Sequence, residues 1–193
     1  MLRTRASQRA GSRDLQRVTG TLESEKYNTM TRWGVLKPQR FRRYWYRETG
    51  YMANVHDVAA YILGKRGRMP VMKLQKLVYY CQAWSLVWDE KPLFPERIEA
   101  WANGPVVPRL YQSHRGLFEV SKWAAGRPEK LSKRERETAD AVLKFYGDKT
   151  SQWLSDLTHQ ESPWLNARQG YGPGERGACE ISHAAMAEYY GSL

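Results

Sequence analysis

PVMKLQKLVYYCQAWSLVW, residues 70–88, is the longest stretch of the chain with one consistent helical reading. Leu74, Leu77, Val78, Cys81, Ser85 and Trp88 recur at intervals of three and four, which sets them on one broad face of an α-helix. Pro70 suits the start, because the N–H it lacks would have no intrahelical partner there. Pro92-Leu93-Phe94-Pro95 ends the run. The segments on either side are mostly helical too, so the fold class is mainly α: a compact single helical domain with one short extended or β-hairpin segment around residues 93–107.

Towards the N-terminus, Asn54 is a good N-cap, Asp57 places a carboxylate in the first turn, and Val55, Val58, Ala59 and Ile62 keep helical spacing until Gly64–Gly67 breaks it. Towards the C-terminus, Arg97-Ile98-Glu99-Ala100-Trp101 is short, alternating and bounded by turn residues, as a small strand would be. GPVVPRLY, residues 104–111, follows at once. Its prolines push Gly104 and Val107 out of the α region, and Pro108 then suits the first turn of a helix reaching about His114. GPVVP is therefore a stiff lead-in to a helix, either a packing corner or a recognition surface.

Gly116 and Gly126-Arg127-Pro128 mark a loop. Ser132-Lys133-Arg134-Glu135 matches the capping box, and Thr138, Ala141, Val142, Phe145 and Tyr146 carry the stripe of the helix it opens, closed by Gly147. Thr150 starts a short helix through Leu154 and Leu157, and Ser162-Pro163 supplies a cap and a proline for another. Gly170–Gly177 is a loop, Cys179-Glu180-Ile181 is extended, and Ser182 caps a last helix with Ala185, Met186, Tyr189 and Tyr190. The expected core includes Leu74, Leu77, Val78, Cys81, Val142, Phe145 and Leu157.

The chain has 193 residues and a net charge of +11. The charge is uneven: residues 1–51 hold 12 Lys/Arg and 4 Asp/Glu, a net +8, whereas residues 52–193 hold 19 and 16, a net +3. The first segment has no sustained apolar period, so it reads as a basic, disordered extension preceding a domain at 52–193. Met52 directly precedes the first ordered pattern and is a candidate true start. Nucleic acid is expected only through that basic segment, and the near-balanced remainder counts against a DNA-binding regulator. Two cysteines, Cys81 and Cys179, do not make a disulfide framework, and no apolar run approaches the roughly 18 residues that span a bilayer. The expected compartment is the cytoplasm, without membrane insertion.

No catalytic template completes itself. His159-Gln160-Glu161 fits the H-x-E half of a zinc deaminase signature, but P-C-x-x-C is missing. Cys81 lies on the apolar stripe of its helix, where a free thiol acts as a small hydrophobe. Gly172-Pro173-Gly174 follows no strand, and there is no P-loop. No metal, cofactor or enzymatic activity is expected. The aromatic excess is more telling: Trp84, Trp88, Trp101, Trp123, Trp153 and Trp164, with Tyr79, Tyr80 and Tyr111, supply core and binding surface alike.

Four segments, in order, resemble the SocA-like antitoxin family, or Panacea domain: Lys73-Leu74-Gln75-Lys76-Leu77-Val78-Tyr79-Tyr80-Cys81-Gln82-Ala83-Trp84, Ile98-Glu99-Ala100-Trp101, GPVVPRLY, and Leu157-Thr158-His159-Gln160-Glu161-Ser162-Pro163-Trp164. The resemblance covers residues 52–193, closing Tyr189-Tyr190 included. It implies an antitoxin of a toxin–antitoxin pair, of the kind found in prophage and phage-defence settings, that neutralises a co-encoded toxin by direct binding. The founding member instead delivers its toxin to a ClpXP-type protease, so such a protease is a second implied partner. Trp101, Gly104, Pro105, Val106, Tyr111, His159, Glu161 and Trp164 are the candidate toxin-binding residues. The rivals are a DNA-binding regulator of a prophage or toxin–antitoxin operon, and a hydrolase using His159 and Glu161 from a shared cleft.

Overall fold

The computed structural model describes residues 52–193 apart from Pro173 and Arg176. The expectation for residues 1–51 falls outside the described residues. The described part is mainly helical, with seven α-helices and two short antiparallel strand pairs among these residues.

Helix α1 (Val55–Arg66) begins where the local chemistry requires. The Asn54 side chain accepts from the N–H groups of His56 and Asp57, while the Asp57 carboxylate accepts from Asn54 N–H. Strand β1 (Met69–Pro70) leads into α2 (Val71–Trp88), the central element. Every residue from Leu74 to Ser85 is buried, so α2 is covered all round rather than along the single face expected from its apolar spacing. The reason lies in its polar positions: Gln75, Lys76 and Gln82 are buried against loop and strand backbone to which they hydrogen-bond.

Gln82 Oε1 accepts from the N–H groups of Leu93 and Phe94 at 2.8 and 3.1 Å, and its Nε2 donates to the Phe94 carbonyl at 3.0 Å. Two turns earlier, Gln75 Oε1 accepts from Val107 N–H at 2.9 Å, and its Nε2 lies 2.9 Å from His114 Nε2. The loops on both sides of the hairpin are thus fixed to α2 by amide side chains.

Strand β2 (Glu99–Trp101) pairs with β3 (Gly104–Val106), Glu99 opposite Val106 and Trp101 opposite Gly104. Of the two forms expected around residues 93–107, extended segment or hairpin, the chain takes the hairpin. The extended Cys179–Ile181 stretch adds to its other edge, with Ala100 N–H donating to Cys179 O and Ile181 N–H to Ile98 O, both at 2.9 Å. Helix α3 (Pro108–His114) carries Pro108 in its first turn. Strand β4 (Glu119–Val120) then pairs with β1, a contact the sequence reading did not anticipate because each strand has only two residues, some fifty positions apart.

Helix α4 (Lys133–Tyr146) opens with both capping-box bonds between Ser132 and Glu135 in place. Its core contribution is Thr138, Ala139, Val142, Leu143 and Tyr146. Phe145, expected in the core, is only half-buried: the stripe turns past it, and Tyr146 instead stacks on Tyr80 with centroids 4.1 Å apart. The other expected core residues, Leu74, Leu77, Val78, Cys81, Val142 and Leu157, are buried.

Helices α5 (Ser151–Thr158), α6 (Ser162–Ala167) and α7 (His183–Gly191) complete the described chain. Thr150 and Ser182 cap α5 and α7 as expected. Helix α6 differs: its N-cap is Glu161 rather than Ser162, and no side chain caps it, because the Glu161 carboxylate is turned into the core.

Candidate binding site

The four segments that the sequence singles out meet around one face of α2. Lys76, from the first, donates from Nζ to the carbonyl of Pro105, in the third, at 3.2 Å. Gly104 permits this contact. Its φ is +98°, and a Cβ there would stand 2.6 Å from Lys76 Cε and 2.8 Å from Thr158 Oγ1, so glycine serves both the turn and the close approach. Thr158 brings in the fourth segment, and Tyr80 does so again, donating to the Glu161 carboxylate at 3.2 Å. Trp101, ending the second segment, accepts at its carbonyl from Trp164 Nε1 at 2.9 Å.

The interior of this site is polar and closed. Lys76 is 0% exposed, and burial brings its ammonium down to about 7 from an ordinary 10.5. Glu161 is pushed up to about 8, also by burial, against the opposing hydrogen bonds from Tyr190 and Tyr80. Tyr190 donates to Glu161 Oε2 at 2.6 Å and its hydroxyl lies 3.1 Å from that of Tyr79. Burial, followed by the charge of Glu161, holds Tyr79, Tyr80 and Tyr190 well above the ordinary phenol value.

Over this interior lies a half-exposed aromatic strip. Tyr111 meets Trp101 edge-on at 4.8 Å, Trp101 is joined to Trp164 by the bond above, and Trp164 stacks on His159 at 4.2 Å. Trp101 is fixed further by donating from Nε1 to Glu99 Oε2 at 2.7 Å. Buried Arg168 lies over the Trp164 ring and donates to the Ala100 carbonyl at 3.0 Å. The His159 imidazole is held below its ordinary value by burial and then by Lys76, and its buried Nε2 has no partner among the described residues.

All eight candidate residues therefore fall in one region, in two layers. Trp101, Tyr111, His159 and Trp164 are partly exposed, whereas Gly104, Pro105, Val106 and Glu161 are buried beneath them. No hydrogen bond joins His159 to Glu161: one lies on Trp164, the other on the tyrosines. The open cleft that a hydrolase would need between them is not formed. Cys81 is buried and its thiol is pushed up by that burial, as suits a core residue.

Sequence reasoning missed Lys76 as part of the site, Gln75 and Gln82 as the residues that fix the loops around it, and Arg168 beneath the strip. The first three had a signal, being polar positions inside the longest apolar helix. Arg168, in the residues just after α6, had none.

Among the described residues, no helix is long and apolar enough to cross a membrane. No curated protein and no solved structure matches the chain. A family model does, that of the antitoxin SocA-like, Panacea domain, over residues 74–165. That span starts in α2 and ends in α6, and it takes in nearly all of the segments that meet at the site: over residues 74–165 this chain is similar to the antitoxin SocA-like, Panacea domain.

Proposed function

We propose that this chain neutralises a co-encoded toxin by stoichiometric binding, with residues 52–193 as the neutralising unit and Trp101, Tyr111, His159 and Trp164 in contact with the toxin. The observation that carries the reading is the two-layered site. An aromatic strip is half in water although Glu99 holds the Trp101 ring nitrogen and Lys76 and Arg168 hold the carbonyls of Pro105 and Ala100 in the hairpin beneath it. Aromatic side chains immobilised in advance lose little conformational freedom on binding, and such residues dominate interface energetics. Gly104, Pro105, Val106 and Glu161 act as its support. In this reading GPVVP is a packing corner whose neighbours are the recognition surface.

A DNA-binding role draws less support. Lys65, Arg66, Arg68, Lys91, Arg97 and Arg134 are each engaged by a carboxylate, which leaves no continuous basic stripe among them. The test is co-expression with the product of the adjacent reading frame, scoring growth and co-purification. Rescue of growth together with a stable complex is expected. Rescue abolished by Trp101→Ala and Trp164→Ala, with the fold intact, assigns the strip; growth arrest unrelieved by the wild-type chain removes the antitoxin reading.

A further inference from the structure

Phe118 is the most exposed large apolar side chain among the described residues, at 81%, and Leu117 beside it is 54% exposed. Both sit on a backbone that is fixed. Leu117 N–H donates to the His114 carbonyl at 2.9 Å, closing the end of α3, and Gly116 makes the reversal with φ +85°. The Phe118 carbonyl accepts from Val71 N–H, the first residue of α2, at 3.0 Å, and the next two residues form β4 on β1. The tip is therefore held against the start of the central helix while its side chains stand in water. Two adjacent exposed apolar side chains on an ordered tip are suited to binding, because their order is already in place before a partner arrives.

The charges around the tip define the partner. Arg115 and Lys122 flank it, both exposed, and neither pairs with a carboxylate among the described residues. Glu119, the one acid in the segment 115–122, is held by Arg68 at 2.7 Å. A second copy packed tip to tip would set these cations against their own kind, and residues 1–51, with a net charge of +8, would also repel them. We propose that Leu117 and Phe118 anchor the toxin by entering an apolar pocket on its surface, with carboxylates at the rim of that pocket facing Arg115 and Lys122. This assignment rests on the antitoxin reading and names the partner's chemistry at a second point of contact.

The test uses the full chain co-expressed and co-purified with the product of the adjacent reading frame, followed by affinity measurement at two salt concentrations. Phe118→Ser is expected to weaken the complex tenfold or more while leaving the thermal midpoint of the free chain unchanged, and Phe118→Trp to retain binding. Arg115→Glu with Lys122→Glu is expected to slow association and flatten its salt dependence. An affinity of Phe118→Ser within twofold of wild type overturns the anchor while leaving the antitoxin reading intact, whereas a wild-type chain that neither rescues nor co-purifies removes both. Self-association of the wild-type chain that Phe118→Ser abolishes would make a second copy the occupant and overturn the proposal, as would a lowered midpoint.

Discussion

Lys76 and Glu161 are both buried in the same polar interior, yet their principal hydrogen-bond partners are a backbone carbonyl for the one and tyrosine hydroxyls for the other. Each is driven towards its neutral form by burial, Lys76 to about 7 and Glu161 to about 8. Their contributions to stability run in opposite directions with pH. Between about 4.5 and 8 the folded chain holds the Glu161 proton and the unfolded chain releases it, so stability falls as pH rises. Between about 7 and 10.5 the unfolded chain holds the Lys76 proton and the folded chain has lost it, so stability rises. Together the two groups produce a minimum near pH 7–8. Denaturant unfolding across pH 5–10 checks this: Glu161→Gln should flatten the acid limb and Lys76→Met the alkaline one, and an unchanged profile in both would refute the account.

Gly104→Ala tests the approach of the hairpin to α2. A methyl group would press on Lys76 Cε and Thr158 Oγ1 at a residue whose φ is +98°. Backbone strain of about 1–3 kcal/mol and overpacking of about 1–3 kcal/mol combine to an expected loss of about 2–6 kcal/mol. Chemical denaturation measures it directly.

Leu77 is fully buried on α2, and Phe145 is only half-buried at the edge of the α4 stripe. Leu77→Ala should therefore cost about 2–5 kcal/mol. Phe145→Ala should cost clearly less, the reverse of what ring size alone suggests. Equal losses would place Phe145 in the core after all.

Helix positions were legible in the sequence where their determinants are local. Asn54 with Asp57, and Ser132 with Glu135, are caps made within four residues, and the structure carries them out as read. The hairpin was legible because its alternation and its prolines are contiguous. What escaped was whatever depends on a distant partner. Glu161 was expected to precede a cap, but Tyr80, 81 positions earlier, and Tyr190, 29 later, draw its side chain inward. The single apolar face assigned to α2 failed for a related reason, since Gln75 and Gln82 are buried by backbone that pattern reading cannot place. The order of the four motifs was visible; their meeting around Lys76 was not.

Gln82→Leu keeps the volume of the side chain and removes its amide. Leu93 N–H, Phe94 N–H and the Phe94 carbonyl would each lose a buried partner. Unsatisfied buried groups cost about 1–3 kcal/mol apiece, so the loss should exceed about 2 kcal/mol even if part of the loop moves to water. Hydrogen exchange at Leu93 and Phe94 should accelerate at the same time, and protection left at the wild-type level would show that the amide is not what holds the loop.

His159 and Glu161 separate a binding protein from an enzyme. In the structure they occupy different environments, the imidazole on Trp164 and the carboxyl among tyrosines, and no bond joins them. His159→Asn and Glu161→Gln each retain much of the shape and remove the acid–base function, so growth rescue by the co-expressed chain should persist in both. The arrangement predicts one asymmetry. Glu161→Gln alters a buried support and should act through stability and its pH profile, whereas His159→Asn removes a ring from the exposed strip and should act, if at all, through the affinity for the toxin. Rescue lost in either variant while fold and complex survive would require bond chemistry at these residues. Following the toxin level in the same cells tests the mechanism. A steady level during rescue is the expected result of blocking, and a level that drops only when a ClpXP-type protease is present would replace blocking with delivery.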